Sequence, residues 1–508
     1  MADRGVYTQA MGRSGDSLAS RNDAHMAANV SAPGERRSCS ADGIVAGLLS
    51  VILALYFGLV PLGQWQADEY DYFGRLRDGV GRAFSARMTW SPRPLSETVY
   101  LAYGLLANQL HRPLTGGFLS LLWVGFLACA CATALTLDNS ERRLPVLLTG
   151  LGLAAAFVTS GPLFQVFYWP AGSAAYLTTL AATLPLFLQV LHRGPSSGGG
   201  PWLCGLCLLF AALSSEMGAM LALCFTGLEA VSLLMGRGLR GRSITWWLVP
   251  GVAAVAVLVW AATHRLPVSE SAFSVSSAAL HNPLQSATAA GGRLVLEIVG
   301  WSSGVRHAWS VVANLISRLA LAVGIALLCP NHRAQSQTAG SLRRLMVLCA
   351  ALLAACFASL FASYLHFGGP GGERYETLRR CWIVMAYAAA ITVFGASRLQ
   401  RWQPRMARCF APALLLLGVL LPWHLSPLVH EYAAYNEVRR ATEQTFQSGY
   451  QQGKEMVFVN PPVGGVITPA TLAPGKYTPD SQASEFNYAG YILRYFGKQK
   501  LIVSPSTP

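Results

Sequence analysis

The stretch Ile44–Tyr72, IVAGLLSVILALYFGLVPLGQWQADEYDY, decides how the rest of the chain is read. Its segment 44–63 carries no charge. It has the roughly 20 apolar residues that a helix needs to cross a bilayer core. Directly behind it, after Gly63-Gln64-Trp65, three carboxylates follow within four residues: Asp68, Glu69 and Asp71. Carboxylates held where a span leaves the membrane are costly unless something pairs with them or uses them, because charge avoids low-dielectric surroundings.

Composition carries the membrane assignment to the whole chain. Of 508 residues, 53% are hydrophobic and only 12% are charged, with a mean hydropathy of +0.39. Soluble chains carry about 25% charged residues, so this is an integral membrane protein. Runs of roughly 17–25 apolar residues give about eleven candidate spans. They lie near 44–63, 114–137, 144–160, 173–191, 201–215, 217–235, 244–263, 309–329, 345–366, 381–397 and 409–427. Lys and Arg concentrate at 141–143, 192–193, 236–242, 331–344 and 397–408. By the positive-inside rule these loops and the N-terminus are cytoplasmic, and the C-terminus is outside. The net charge of +14 then belongs to the inner membrane face, not to a nucleic-acid surface.

The expected fold is an all-α polytopic membrane protein with a small C-terminal α/β domain outside the membrane. Residues 1–41 are polar and read as a disordered cytoplasmic tail without a signal peptide. Residues 42–427 form the membrane domain. Residues 428–508 open with an amphipathic helix at 428–448, then a strand Met456–Asn460, a helix around 482–497 and a strand Leu501–Val503. Segment 95–110 has helical spacing, but Glu97, Asn108 and Gln109 interrupt it, and it reads as a helix lying on the outer surface. Ten of the cysteines lie in or at the ends of spans and Cys39 is in the tail, so no disulfide framework is expected. Cys204 and Cys207 read as packing within an apolar helix.

The outer loops hold the residues that suit chemistry. Loop 64–113 carries the acids together with Arg75, Arg77, Arg82, Arg87 and Arg93, and the short loop 366–380 carries Arg374, Arg379 and Arg380. A carboxylate can act as a base toward a hydroxyl nucleophile. A phosphate leaving group needs positive charge, which the planar guanidinium fork supplies. Loop 264–308 holds His264, Glu270, His281, Glu297 and His307 without metal-ligand spacing, and these read as solvated. No tightly bound metal is expected, although a weak divalent ion at Asp68 and Glu69 stays open.

The motif D-E-x-x-Y immediately after the first span, Asp68-Glu69-Tyr70-Asp71-Tyr72, resembles the GT-C superfamily of membrane glycosyltransferases. Those enzymes take a sugar from a polyprenyl-phosphate carrier on the outer side of the membrane. The resemblance extends to a surface helix in the first loop, about eleven spans and a small outer C-terminal domain. It implies that Asp68 is the base on the acceptor hydroxyl, with Glu69 supporting it or orienting the sugar. Which of the two is the base is left open. Tyr72 and Arg93 of the same loop are candidate substrate contacts.

Phe167–Tyr176, FYWPAGSAAY, reads either as an interfacial aromatic belt or as a sugar platform built on Trp169 and Tyr176. It is similar to segments of membrane glycosyltransferases of bacterial surface polysaccharides. Glu216 stands in a tight turn between two apolar stretches, as a hairpin cap or a ligand of sugar hydroxyls. Arg374 and Arg379, then Arg380, are the candidate ligands of a lipid phosphate. The partners implied are a polyprenyl-phosphate sugar, a glycan or lipid acceptor and the bilayer, with no cofactor. Two other functions compete. A transporter or flippase of lipid-linked saccharide would show repeats and mid-membrane charge, and a glycan polymerase or ligase would place arginines in a large late outer loop.

Overall fold

The computed structural model describes residues 35–136, 140–192, 200–235, 243–264, 282–301, 307–329, 339–399, 404–462, 464–467, 471–479 and 488–504. Helices dominate, as they must where a bilayer offers no water to satisfy backbone groups. Among the described residues, seven helices are long and apolar enough to cross a membrane: Ala41–Leu62, Thr115–Leu135, Pro170–His192, Trp246–His264, Ala308–Leu328, Leu342–Phe367 and Glu373–Phe394. Phe410–Leu420 and Leu425–Tyr450 meet at a 62° bend and make an eighth if taken as one span. The protein is therefore an all-α, multi-pass membrane protein. The remaining expected spans also fall on helices, but Arg143–Thr159 and Trp202–Ser214 are short.

The first helix, Glu35–Phe57, starts six residues before the expected end of the tail, and residues 1–34 lie outside the described part. The 264–308 loop is corrected more substantially. Pro283–Ile298 is a helix, capped by the Asn282 side chain, which accepts hydrogen bonds from the Leu284 and Gln285 amides at 3.1 and 3.2 Å. Glu297, expected to be solvated, is fully buried at its end. Glu270 and His281 lie outside the described residues.

Between Ser160 and Thr178 the chain is irregular. Two π-helical turns, Phe164–Tyr168 and Ser173–Leu177, flank the short helix Pro170–Gly172. Such turns re-aim side chains that a regular helix would turn elsewhere. Gly63 lets the end of the first span press against this segment. A β-carbon there would stand 2.7 Å from the Tyr168 carbonyl oxygen.

Beyond the membrane helices, Leu425–Tyr450 leads into a three-stranded sheet of β1 (Glu455–Val459), β2 (Gly475–Tyr477) and β3 (Lys500–Ser504). Its order is β1-β3-β2, with β1 parallel and β2 antiparallel to β3. The helix Tyr488–Phe496 precedes β3, and β2 has no counterpart in the sequence reading. Trp65 packs edge-on against Tyr70, Phe446 and Tyr495, with ring centroids 5.0–5.4 Å apart. The C-terminal residues thus share one aromatic core with the loop behind the first span.

Candidate active site

The loop behind the first span folds into three helices, Ala67–Asp78, Val80–Trp90 and Pro94–Leu110. Asp68 and Glu69 fall in the first turn of the first, where the helix dipole favours negative charge. A cleft opens beside Asp68. Arg87, Trp90, Ser91 and Arg93 line it from the same loop, Trp169 and Tyr176 from the irregular segment, and Phe367, Arg374 and Tyr375 from across the bundle. Residues more than 300 positions apart in the sequence thus meet around one carboxylate.

Asp68 is the accessible acid. Its side chain is 42% exposed, and Oδ2 lies 3.3 Å from Arg87 Nη1. Arg87 is held from behind, its Nε donating to Glu97 Oε2 at 3.1 Å. Glu97 is buried, and that burial pushes its carboxyl up against the pull of Arg87. The chain Glu97–Arg87–Asp68 fixes the direction in which Asp68 presents its free oxygen.

Glu69 faces the other way. It is fully buried and accepts three hydrogen bonds: from the Gln66 amide at 2.7 Å, Trp169 Nε1 at 2.9 Å and the Ala171 amide at 3.0 Å. Burial, with Asp68 as the next cause, pushes its carboxyl up to about 7, while the three donors pull it down. Glu69 therefore anchors the aromatic segment to the first loop and does not line the cleft. Its three donors also leave it little capacity as a metal ligand. Among the described residues no three His, Cys, Asp or Glu side chains converge as a metal-binding group.

Arg93 lines the cleft but is committed to neighbours. Its Nε donates to Glu216 Oε2 at 2.7 Å and its Nη2 to the Tyr176 hydroxyl at 3.0 Å. Glu216 is buried behind Arg93 and does not line the cleft. Tyr72 is also buried, stacked on Tyr100 at 5.5 Å with Arg87 5.7 Å from its ring centre.

The three arginines of the later loop part company. Arg374 lies 5.6, 6.0 and 5.4 Å from the ring centres of Trp169, Tyr176 and Tyr375. Its Nε is buried without a hydrogen-bond partner, and no described carboxylate pairs with it. Arg379 is fully buried and grips Glu297 through two 2.8 Å hydrogen bonds. Arg380 donates to the Ser160 carbonyl oxygen at 2.8 Å and to Glu376, and it faces a different cleft. Of the expected site residues, Asp68, Arg93, Trp169, Tyr176 and Arg374 thus meet in one place. Glu69, Tyr72 and Glu216 support that place from behind, and Arg379 and Arg380 lie apart from it.

Arg87, Trp90, Ser91, Phe367 and Tyr375 complete the lining without having been singled out from the sequence. Arg87 is one of six arginines in its loop, and spacing alone gives no means of choosing it. Tyr375 stands beside Arg374 in the glycine-rich turn, and that adjacency was its available signal. Compared with known proteins, the chain matches no family model, no curated protein and no solved structure.

Proposed function

We propose that the protein is a membrane glycosyltransferase that moves a sugar from a polyprenyl-phosphate carrier to a glycan or lipid acceptor. The observation that supports this reading is the pairing, in one aromatic-walled cleft, of an accessible carboxylate with an arginine that forms no ion pair with a carboxylate among the described residues. In this mechanism Asp68 accepts the proton of the acceptor hydroxyl as its oxygen attacks the anomeric carbon. The bond from that carbon to the phosphate oxygen breaks, and the polyprenyl phosphate leaves with the bonding electrons. Arg374 holds the departing phosphate, Trp169 and Tyr176 offer faces on which a sugar ring stacks, and attack opposite the leaving group inverts the anomeric centre.

The chain makes eleven passes in this reading, with the N-terminus cytoplasmic and the cleft on the outer face of the cytoplasmic membrane. One geometric argument supports that count. The starts of the spans Thr115–Leu135 and Pro170–His192 both lie beside Gly63, one through the Thr115 side chain and the other through Tyr168. The chain must therefore return between them, and the short helix Arg143–Thr159 is what returns it. At about 1.5 Å per residue its 17 residues span about 25 Å, enough for a locally thinned core.

The test is sugar transfer in membranes supplied with radiolabelled polyprenyl-phosphate hexoses and pentoses. Asp68→Asn is expected to lower transfer by roughly 10²–10⁴-fold at unchanged protein level, the usual range for a general base. Undiminished transfer in that variant removes Asp68 from the chemistry, and no transfer by the wild type from any donor moves the assignment to a transporter.

A further inference from the structure

A second, larger cleft lies on the far side of the wall that bounds the first. The two share no lining residue, yet they share their walls. Ser160–Phe164 face the second cleft, whereas Trp169, Ala171 and Gly172 face the first. Glu373 faces the second cleft and its neighbour Arg374 the first. One side of the second cleft is apolar: Tyr56, Leu163, Phe164, Trp309, Leu421 and Pro422. Trp309 is 72% exposed at its rim, and Leu425 and Val429, close in sequence to the lining residues His424 and Pro427, are exposed too. In a bilayer such a surface is where a hydrocarbon chain would lie.

The other side is polar and backed by excess positive charge. Arg380 lines the cleft and is itself buried. Behind it, Arg293, Arg318, Arg379 and Arg380 gather around two carboxylates, Glu297 and Glu376. Four guanidinium groups against two carboxylates leave two positive charges in excess, and Glu373 at the rim offsets one of them. Three guanidinium nitrogens of this group, Arg293 Nη2, Arg379 Nη1 and Arg380 Nε, are buried with no hydrogen-bond partner among the described residues. A buried, under-neutralised cation cluster is expensive unless an anion completes it.

We infer that this second cleft binds an anionic lipid, its phosphate headgroup at Arg380 and its chain along the Phe164–Trp309–Leu421 wall. Apolar wall and cationic floor together select an amphiphile over a free anion. This site is independent of sugar transfer, since none of its residues lines the Asp68 cleft.

The test is saturable binding of fluorescent phosphatidic acid to the full-length protein in phosphatidylcholine nanodiscs. The wild type is expected to bind it with phosphatidylcholine unable to compete. Arg380→Met is expected to weaken binding at least tenfold. Ala313→Trp, which adds bulk to the cleft lining on the helix Ala308–Leu328 and changes no charge, should do the same. Asp68→Asn should bind as the wild type does. Normal binding by Ala313→Trp overturns the inference, and so does loss of binding in Asp68→Asn. Displacement of the probe by inorganic phosphate alone at millimolar concentration also overturns it, because the site would then be one for a free anion.

Discussion

Asp68 and Glu69 are neighbours in one helical turn, and Arg374 and Arg379 stand five residues apart on another helix, yet the molecule divides both pairs in the same way. One member of each faces the cleft with capacity to spare: Asp68 is partly exposed, and Arg374 has no carboxylate partner among the described residues. The other is buried and saturated by partners from distant parts of the chain, Glu69 by the Trp169–Ala171 segment and Arg379 by Glu297. The ionisable group is the same within each pair, a carboxylate in one and a guanidinium in the other. What separates a reactive group from a structural one is whether its hydrogen-bonding capacity is already filled. A buried ion pair holds the walls at a fixed separation, and the free group uses that separation.

The largest expected effect follows from breaking the saturated arginine. Arg379→Met leaves Glu297 charged and buried, with Arg293 at 3.2 Å as its remaining side-chain cation. Removing one partner of such a pair costs about 3–5 kcal/mol, whereas removing both is often close to neutral. Thermal unfolding in detergent should therefore show a large loss for Arg379→Met and substantial recovery in Arg379→Met/Glu297→Met. If the single variant were as stable as the wild type but failed to transfer sugar, Arg379 would belong with Arg374 after all.

Glu69 gives the next effect, through pH. Its carboxyl is raised from 4.5 to about 7 in the folded protein. The native state then holds the proton more tightly than the unfolded chain, so stability is highest below pH 4.5 and falls as pH rises to 7. At about 1.36 kcal/mol per unit the loss is on the order of 3 kcal/mol. Unfolding measured across that window should show this slope, and Glu69→Gln should abolish it. A stability that rises with pH over the same window would mean that the three donated hydrogen bonds, not burial, govern Glu69.

How far these divisions could be read in advance depends on the range of the interactions that make them. The membrane helices follow from runs of apolar residues, a local property, and most spans fall where hydropathy puts them. The acidic motif and the aromatic segment were also visible, because each is contiguous and sits beside a span end. Pro283–Ile298 was not: polar residues break its apolar run, and its place in a long loop suggested solvent. Most of this helix stays exposed or half-buried, and its buried acid, Glu297, is met by Arg379, 82 positions away. The separate fates of Arg374, Arg379 and Arg380 were equally hidden, since nothing local tells which of three nearby arginines meets a carboxylate. The Trp169 indole and the Ala171 amide that converge on Glu69 are likewise a product of the irregular turns around Trp169, which no periodicity announces.

A smaller effect sharpens the free side of the comparison. Arg374→Ala removes a cation surrounded by three rings but breaks no ion pair among the described residues. Stability should change by less than about 1 kcal/mol. A hydrogen bond to a charged group contributes about 1.5–3 kcal/mol, so kcat/KM for the lipid donor should fall roughly 10–100-fold. Arg374→Lys should recover only part of it, because the ammonium lacks the planar fork. Unaltered transfer kinetics would place the donor phosphate elsewhere.

The smallest effect concerns Tyr72, the last residue of the acidic motif. Its ring is buried against Tyr100, but its hydroxyl is also buried and has no hydrogen-bond partner among the described residues. A buried polar atom without a partner costs free energy, so removing it alone is neutral or stabilising. Tyr72→Phe keeps the stacked ring and should leave unfolding within about 1 kcal/mol of the wild type or slightly above it. Transfer should be unchanged if the ring acts only by packing beside Arg87. A fall in transfer at preserved stability would instead show that the hydroxyl finds its partner in the substrate, and Tyr72 would move from the saturated framework to the reacting side with Asp68.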